Sequence, residues 1–168
     1  IESDVFSGDI EFFARVCRVV NGLRNARIGA IGARPGAFQT MRFSEKLLQA
    51  SGITVVTVDL SEIIFAAQEL DDNASQVEQK LAESRGYGAS PDHIKEGRIL
   101  KQAKRSVAMD NWVSENNVQA AGVQCWTSVQ ENYGCAACLS MSMLGEKLTP
   151  CACEVDVAGV ISMYALVL

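Results

Sequence analysis

Cys153–Glu154–Val155–Asp156 places a thiol and two carboxylates within four consecutive residues. Glu154 follows the apolar Cys151–Ala152–Cys153, so its carboxylate is expected at the mouth of a strand among apolar neighbours. Withdrawing a carboxylate from water is costly unless a cation or hydrogen bonds compensate, which points to a metal ligand or a proton-transfer group. A purely local role competes with this: Glu154 or Asp156 caps a helix beginning near Val157. Asp156 suits the cap well, which leaves Glu154 in need of another partner. A second pair, Gln124 and Trp126, flanks Cys125. An amide beside a flat apolar ring suits a sugar, whose hydroxyls and C–H faces need both. The alternative is an aromatic lid over the sheet edge with Gln124 exposed.

Other constellations carry less. Gly29, Gly32 and Gly36 punctuate a strand-and-turn segment, but their spacing fits neither G-x-G-x-x-G nor a loop ending in Gly-Lys-Ser/Thr. Close packing and a tight turn explain them better than a phosphate. Cys135, Cys138, Cys151 and Cys153 read as C-x2-C and C-x-C, which is not a common zinc spacing, and a free cysteine otherwise behaves as a small core hydrophobe. His93, the single histidine, falls at a helix start and reads as solvated. Asp59 and Glu62 read as first-turn capping residues.

The composition narrows the partners. With 168 residues, 48% hydrophobic and 21% charged, the chain can build a substantial core and is expected to form one domain, residues 1–168. A net charge of −5 with scattered basic residues argues against nucleic acid and against an anionic membrane. The longest apolar stretch, Val157–Leu168, is shorter than the ~20 residues that span a bilayer. An acidic start without a basic-then-apolar pattern, together with six irregularly spaced cysteines, fits a reduced, cytoplasmic setting. The apolar last residues, Tyr164–Leu168, carry no capping signal, and the chain is expected to be a fragment of a longer multidomain protein.

The elements that must position these residues alternate. Helical spacing of Ile10, Phe13, Cys17, Val20 and Leu23 predicts a helix over Gly8 to Leu23, capped by Ser7 or Asp9. Strands are expected at Arg27–Ala33, Ile53–Val58, Val118–Cys125 and Pro150–Glu154. Helices are expected from Phe43 to Ala50, from the Asp59–Glu62 turn to Ser84, from Pro91–Asp92 to Glu115, from Ala136 to Leu144, and after Asp156. Strands alternating with helices predict a three-layer α/β/α fold with a mostly parallel sheet, Rossmann-like or flavodoxin-like. Function in such sheets gathers at the carboxyl ends of the strands, here Ala33–Phe38, Asp59–Glu62, Gln124–Thr127 and Glu154–Asp156.

Four stretches in this order, Ile28–Gly36, Gly52–Glu62, Ala120–Trp126 and Ala152–Asp156 followed by Gly159, resemble the L-fucose isomerase and L-arabinose isomerase group, particularly its fucose isomerase-like branch. The last stretch is the most specific. The resemblance covers nearly the whole chain and implies the middle, second domain of that fold. It implies interconversion of an aldose and a ketose through an enediol at a divalent metal, commonly Mn²⁺. Glu154 matches the family's glutamate that serves as both metal ligand and proton-transfer carboxylate, roles that suit the physics of metal-assisted proton transfer. Gln124 matches the family's substrate-touching glutamine, and Trp126 adjoins it as a further substrate-binding candidate. The remaining ligands, an Asp and a His, are implied beyond Leu168, and His93 does not match. The metal site is therefore expected to be incomplete in this chain, the isolated fragment inactive, and the full-length protein a homo-oligomer acting on a small sugar. Two rivals stand beside this: a non-catalytic sugar-binding or regulatory α/β module, and a flavodoxin-like nucleotide binder that the missing phosphate loop disfavours.

Overall fold

A computed structural model describes residues 3–88, 91 and 93–168. Four strands carry the core: β1 (Arg27–Ile31), β2 (Thr54–Val58), β3 (Ala120–Val123) and β4 (Cys151–Cys153). All pair in parallel, in the order β2-β1-β3-β4. The central strands are small and apolar, and a Cβ on Gly29 would stand 2.9 Å from the Trp112 ring, so its absence lets the helix that carries Trp112 lie close to the sheet.

Side chains alternate between two cores, as period-two pleating requires. Ile31, Ala121, Val123 and Cys151 face a cluster closed by α3 (Leu60–Glu69), α5 (Glu96–Glu115) and α6 (Cys138–Glu146). Ile28, Ala30, Ala120 and Ala152 face the opposite cluster, closed by α2 (Glu45–Ala50) and α7 (Val157–Val167). The expected three-layer α/β/α architecture with a parallel sheet is thus the observed one, and here every strand pairing is parallel.

Three local departures have physical causes. The segment after β2 is two helices, α3 and α4 (Ser75–Tyr87), rather than one. Leu70 leaves α3 in an extended conformation, and Asp71 Oδ1 accepts from Asn73 N at 2.8 Å, an Asx turn that competes with helix continuation. Helix α5 begins at Glu96; of the expected opening at Pro91–Asp92, Asp92 lies outside the described residues. Helix α1 (Asp4–Arg24) begins four residues earlier than expected, with Ser3 rather than Ser7 or Asp9 as its cap, and none of its residues is buried. No helix of the described residues is long and apolar enough to cross a membrane.

Candidate functional site

In this strand order the chain runs outward from β1 to β2 and then returns to the other side of β1 at β3. The direction of winding therefore reverses between β1 and β3, where open α/β sheets form a crevice outside the strand ends. The residues past that switch point are Gly32–Ala33 after β1, Gln124–Trp126 after β3 and Glu154–Asp156 after β4. Gln124 ties the first two together: its Oε1 accepts from Ala33 N at 2.8 Å. Gly32 makes this possible, since it turns at φ +84° and a Cβ there would stand 2.4 Å from Gln124 Oε1. Gln124 is therefore a clamp across the crevice, and the part of its amide left for a ligand is the –NH2.

Trp126 is 54% exposed at the rim, and its ring meets Phe38 edge-on with centroids 5.5 Å apart. Its position matches the aromatic lid as much as a sugar platform, and Phe38, from the loop after β1, joins it. Trp126 also works through its backbone, donating N–H to both oxygens of Glu154, at 3.2 and 3.3 Å.

Glu154 is 4% exposed. Its backbone φ is +56° and that of Val155 is +59°, two successive non-glycine residues in the left-handed region. A β-branched residue there is an outlier, and each such residue costs on the order of 1–3 kcal/mol that surrounding structure must offset. Two devices hold the turn. Gly122 of β3 lies beneath it, where a Cβ would come within 2.9 Å of the Val155 backbone. Asp156 caps α7, its Oδ1 accepting from Gly159 N at 2.8 Å. The assignment of the cap to Asp156 is thus what the structure shows, and the Glu154 carboxylate takes no part in it. Strain of this kind concentrates where a side chain must be aimed.

The carboxylate is aimed at sulfur. Cys153 Sγ lies 3.3 Å from Glu154 Oε1 and donates to it. Packing of the sulfur against the rim, and then the Glu154 carboxylate, push the Cys153 thiol up to about 12, so it stays protonated near neutral pH. Cys125 is buried beside them, and the donor atoms of Cys125, Cys153 and Glu154 all lie within 4.8 Å of one another. This is the group of potential metal ligands among the described residues, and it replaces the cysteine set weighed from spacing. Of that set only Cys153 belongs here; Cys138 opens α6, and Cys151 turns its thiol to Thr149 O at 3.6 Å. Cys125 was the residue missed. The missing signal was register, since Val123 pairs with Cys153 and Cys125 follows on the same face.

Among these donors the single oxygen ligand is the Glu154 carboxylate. Mn²⁺ prefers oxygen-rich shells, whereas two thiols favour a softer cation. The described residues therefore do not by themselves fit Mn²⁺. Elsewhere, Asp59 caps α3 through Ser61 N at 2.7 Å, the Ser61 side chain and then this backbone bond holding its carboxyl below the usual carboxylate range, and His93 is exposed. A separate cavity of about 410 Å³ is lined by Ile94, Arg98, Gln102, Cys135 and Leu139, with none of the strand-end residues in its wall.

Fold and site together define a three-layer α/β/α domain with a strained, buried carboxylate at the crevice of a parallel sheet. Comparison with known proteins sharpens the class. No family model matches the chain. The sulfoquinovose isomerase of Alkalicoccus urumqiensis is 29% identical over 153 residues, covering 90% of this chain and 34% of that protein. The sulfoquinovose isomerase of Clostridium sp. (strain MSTE9) is 27% identical over 164 residues, 97% of this chain and 36% of that protein. That of Priestia megaterium (strain ATCC 12872 / QMB1551) is 28% identical over 152 residues, 90% and 33%. The chain spans about a third of the length of the curated relatives it matches.

Proposed function

We propose that this chain is the central domain of an aldose–ketose isomerase, in which Glu154 carries the proton between the two carbons that exchange oxidation state. The observation that carries the reading is the buried Glu154 carboxylate, held in a left-handed turn at the strand-end crevice. The similarity of nearly the whole chain to sulfoquinovose isomerases supports it. Isomerisation removes a proton from C2 of the aldose, leaves an enediol, and returns a proton to C1, while the hydroxyl hydrogen passes from O2 to O1. A single carboxylate can serve as base in the first half and acid in the second. A buried position keeps water from exchanging that proton in between. The Trp126 N–H fixes the carboxylate, and the Gln124 amide and the Trp126–Phe38 ledge lie at the same rim to orient a sugar. Dependence on a divalent cation belongs to the proposal, as does a homo-oligomeric full-length protein, with further ligands and selectivity contributed from outside these residues. Sulfoquinovose is the first substrate to test, and L-fucose the second.

The test is turnover by the full-length protein on both sugars, with divalent cation present, before and after Glu154→Gln. Glutamine keeps the volume and an acceptor for Trp126 N–H, so the variant is expected to melt within a few degrees of the parent. Turnover is expected to fall at least ~100-fold, the usual contribution of a positioned acid–base group. Full turnover in a folded Glu154→Gln protein would remove Glu154 as the shuttle. A non-catalytic sugar-binding module is the second reading, favoured by the exposed Trp126–Phe38 ledge. Calorimetry separates the two: metal-free sugar binding by the 168-residue chain, lost in Trp126→Ala, belongs to the module.

A further inference from the structure

We infer that Cys125, Cys153 and Glu154 form a binding site for a thiophilic divalent cation, of the class of Zn²⁺ and Cd²⁺. The inference shares Glu154 with the isomerase reading but does not rest on it, because it follows from the donor geometry alone.

The parallel register builds the site. Val123 of β3 pairs with Cys153 of β4, and Cys125 lies two residues beyond Val123. Residues two apart share a face of a sheet, so both sulfurs emerge at the carboxyl rim on the side of the larger core. The left-handed turn at Glu154 then folds its carboxylate back towards the sulfurs instead of letting the strand carry it away. The Cys153 Sγ–Glu154 Oε1 separation is 3.3 Å, and all three donor atoms fall within 4.8 Å of one another. Around a tetrahedral cation with metal–sulfur bonds of about 2.3 Å and metal–oxygen bonds of about 2.1 Å, neighbouring donors stand roughly 3.6–3.8 Å apart. The set is therefore within about an ångström of closing on an ion along its longest edge, and Cys125 and Cys153 would bind as thiolates, their two S–H protons passing to solvent as the metal–sulfur bonds form.

Two of the three ligands, Glu154 and Cys125, also have a second partner that holds them in place. Trp126 N–H donates to the carboxylate, and Gln130 Nε2 reaches Cys125 Sγ at 3.5 Å. Outer partners of this kind orient ligands and raise affinity. Cys125 is 2% exposed and Glu154 4%, while Cys153 is exposed, which leaves the open side of the cluster towards solvent. Three protein donors with one open position is the pattern of a reactive rather than a closed structural centre, and the open position would take water or a sugar hydroxyl.

The experiment is a Cd²⁺ titration of the reduced 168-residue chain, followed by the ultraviolet sulfur-to-cadmium charge-transfer band. The band is expected to saturate at one Cd²⁺ per chain, to be displaced by Zn²⁺ and to survive excess Mn²⁺. It should be unchanged in Cys135→Ser/Cys138→Ser and absent in Cys125→Ser and in Cys153→Ser. Cys153 is exposed, so its variant is expected to stay folded by circular dichroism even where the buried Cys125 variant does not. Gln130→Ala should weaken binding by about tenfold, as loss of an outer partner does. Absence of a saturable band, its persistence in folded Cys153→Ser, or displacement of Cd²⁺ by Mn²⁺ would overturn the inference. No sugar enters the titration, so loss of the cation site leaves the isomerase reading standing, and loss of isomerase activity leaves the cation site standing.

Discussion

Gly122 is the residue on which the aim of Glu154 depends. A side chain there would meet the Cα and carbonyl carbon of Val155 at 2.9 Å, and these are backbone atoms that cannot swing aside. Gly122→Ala must therefore push the turn after β4 outward by several tenths of an ångström, with Glu154 carried along. The cost is that of overpacking a tight core, about 1–3 kcal/mol, read as a lower denaturant midpoint at unchanged slope. Gly145→Ala is the control: nothing lies near its Cβ position in α6, and replacing a helical glycine is expected to stabilise by about 0.5–1 kcal/mol. Should both alanines behave alike, Gly122 is not what sets the turn. The Glu154 turn also shows where reading residues in order stops. Its apolar neighbours mark a strand-end carboxylate, and Asp156 is recognisable as a cap from its type and place. Two successive left-handed residues at Glu154 and Val155 are not recognisable, because neither is a residue type that favours that conformation.

An ion pair crosses between helices α4 and α5. Lys80, 6% exposed, reaches Asp110 at 2.6 Å and Glu83 at 2.9 Å. Burial acts to lower the Lys80 ammonium, but the hydrogen bonds it donates to Asp110 and Glu83 outweigh it and leave it raised. In return, the hydrogen bond accepted from Lys80 holds Glu83 below the usual carboxylate range, against the opposing effect of burial. A carboxylate depressed in the folded state binds protons more readily when unfolded. Its contribution to stability is therefore full above the unfolded carboxylate range and is lost as pH falls through the folded value. Glu83→Gln is expected to lower stability at neutral pH by about 0.5–1 kcal/mol, the scale of a partly exposed pair. Its melting temperature should fall less steeply than the parent's on acidification, so that the two curves converge. Parallel curves would mean that Glu83 is not a source of the acid dependence. At this scale the sequence was informative wherever a run was uniform. The β-branched Thr54–Val58 and the small apolar Ala120–Val123 declare themselves as strands. The break between α3 and α4 rests on one Asx turn, and the Cys125–Cys153 neighbourhood rests on strand register. Neither has a periodicity to reveal it.

Across the whole molecule, packing is uneven. The sheet with α2 to α7 has two closed cores, whereas α1 presents Phe12 at 69% and Phe13 at 64% exposure and buries no residue of its 21. The stripe Ile10, Phe13, Val20 that marks it as a helix faces outward, so the periodicity gives the element correctly but not its packing. Helix α1 is held mainly at its end, where Arg18 donates to Leu168 O at 3.3 Å and Gly22 lies against the Leu168 side chain. Opening it exposes almost no new apolar surface, so its local unfolding free energy lies well below that of the core. Native-state hydrogen exchange of the 168-residue chain is the direct measure. Amides of Phe12, Phe13 and Val16 are expected to exchange at least ~100-fold faster than those of Ile31 and Val123, and with little dependence on denaturant. The first inequality follows from a difference of about 3 kcal/mol in opening free energy, and the second from the small area that α1 exposes when it opens. Protection of α1 equal to that of β1 would show that the helix unfolds only with the sheet, and that its apolar face is covered in solution.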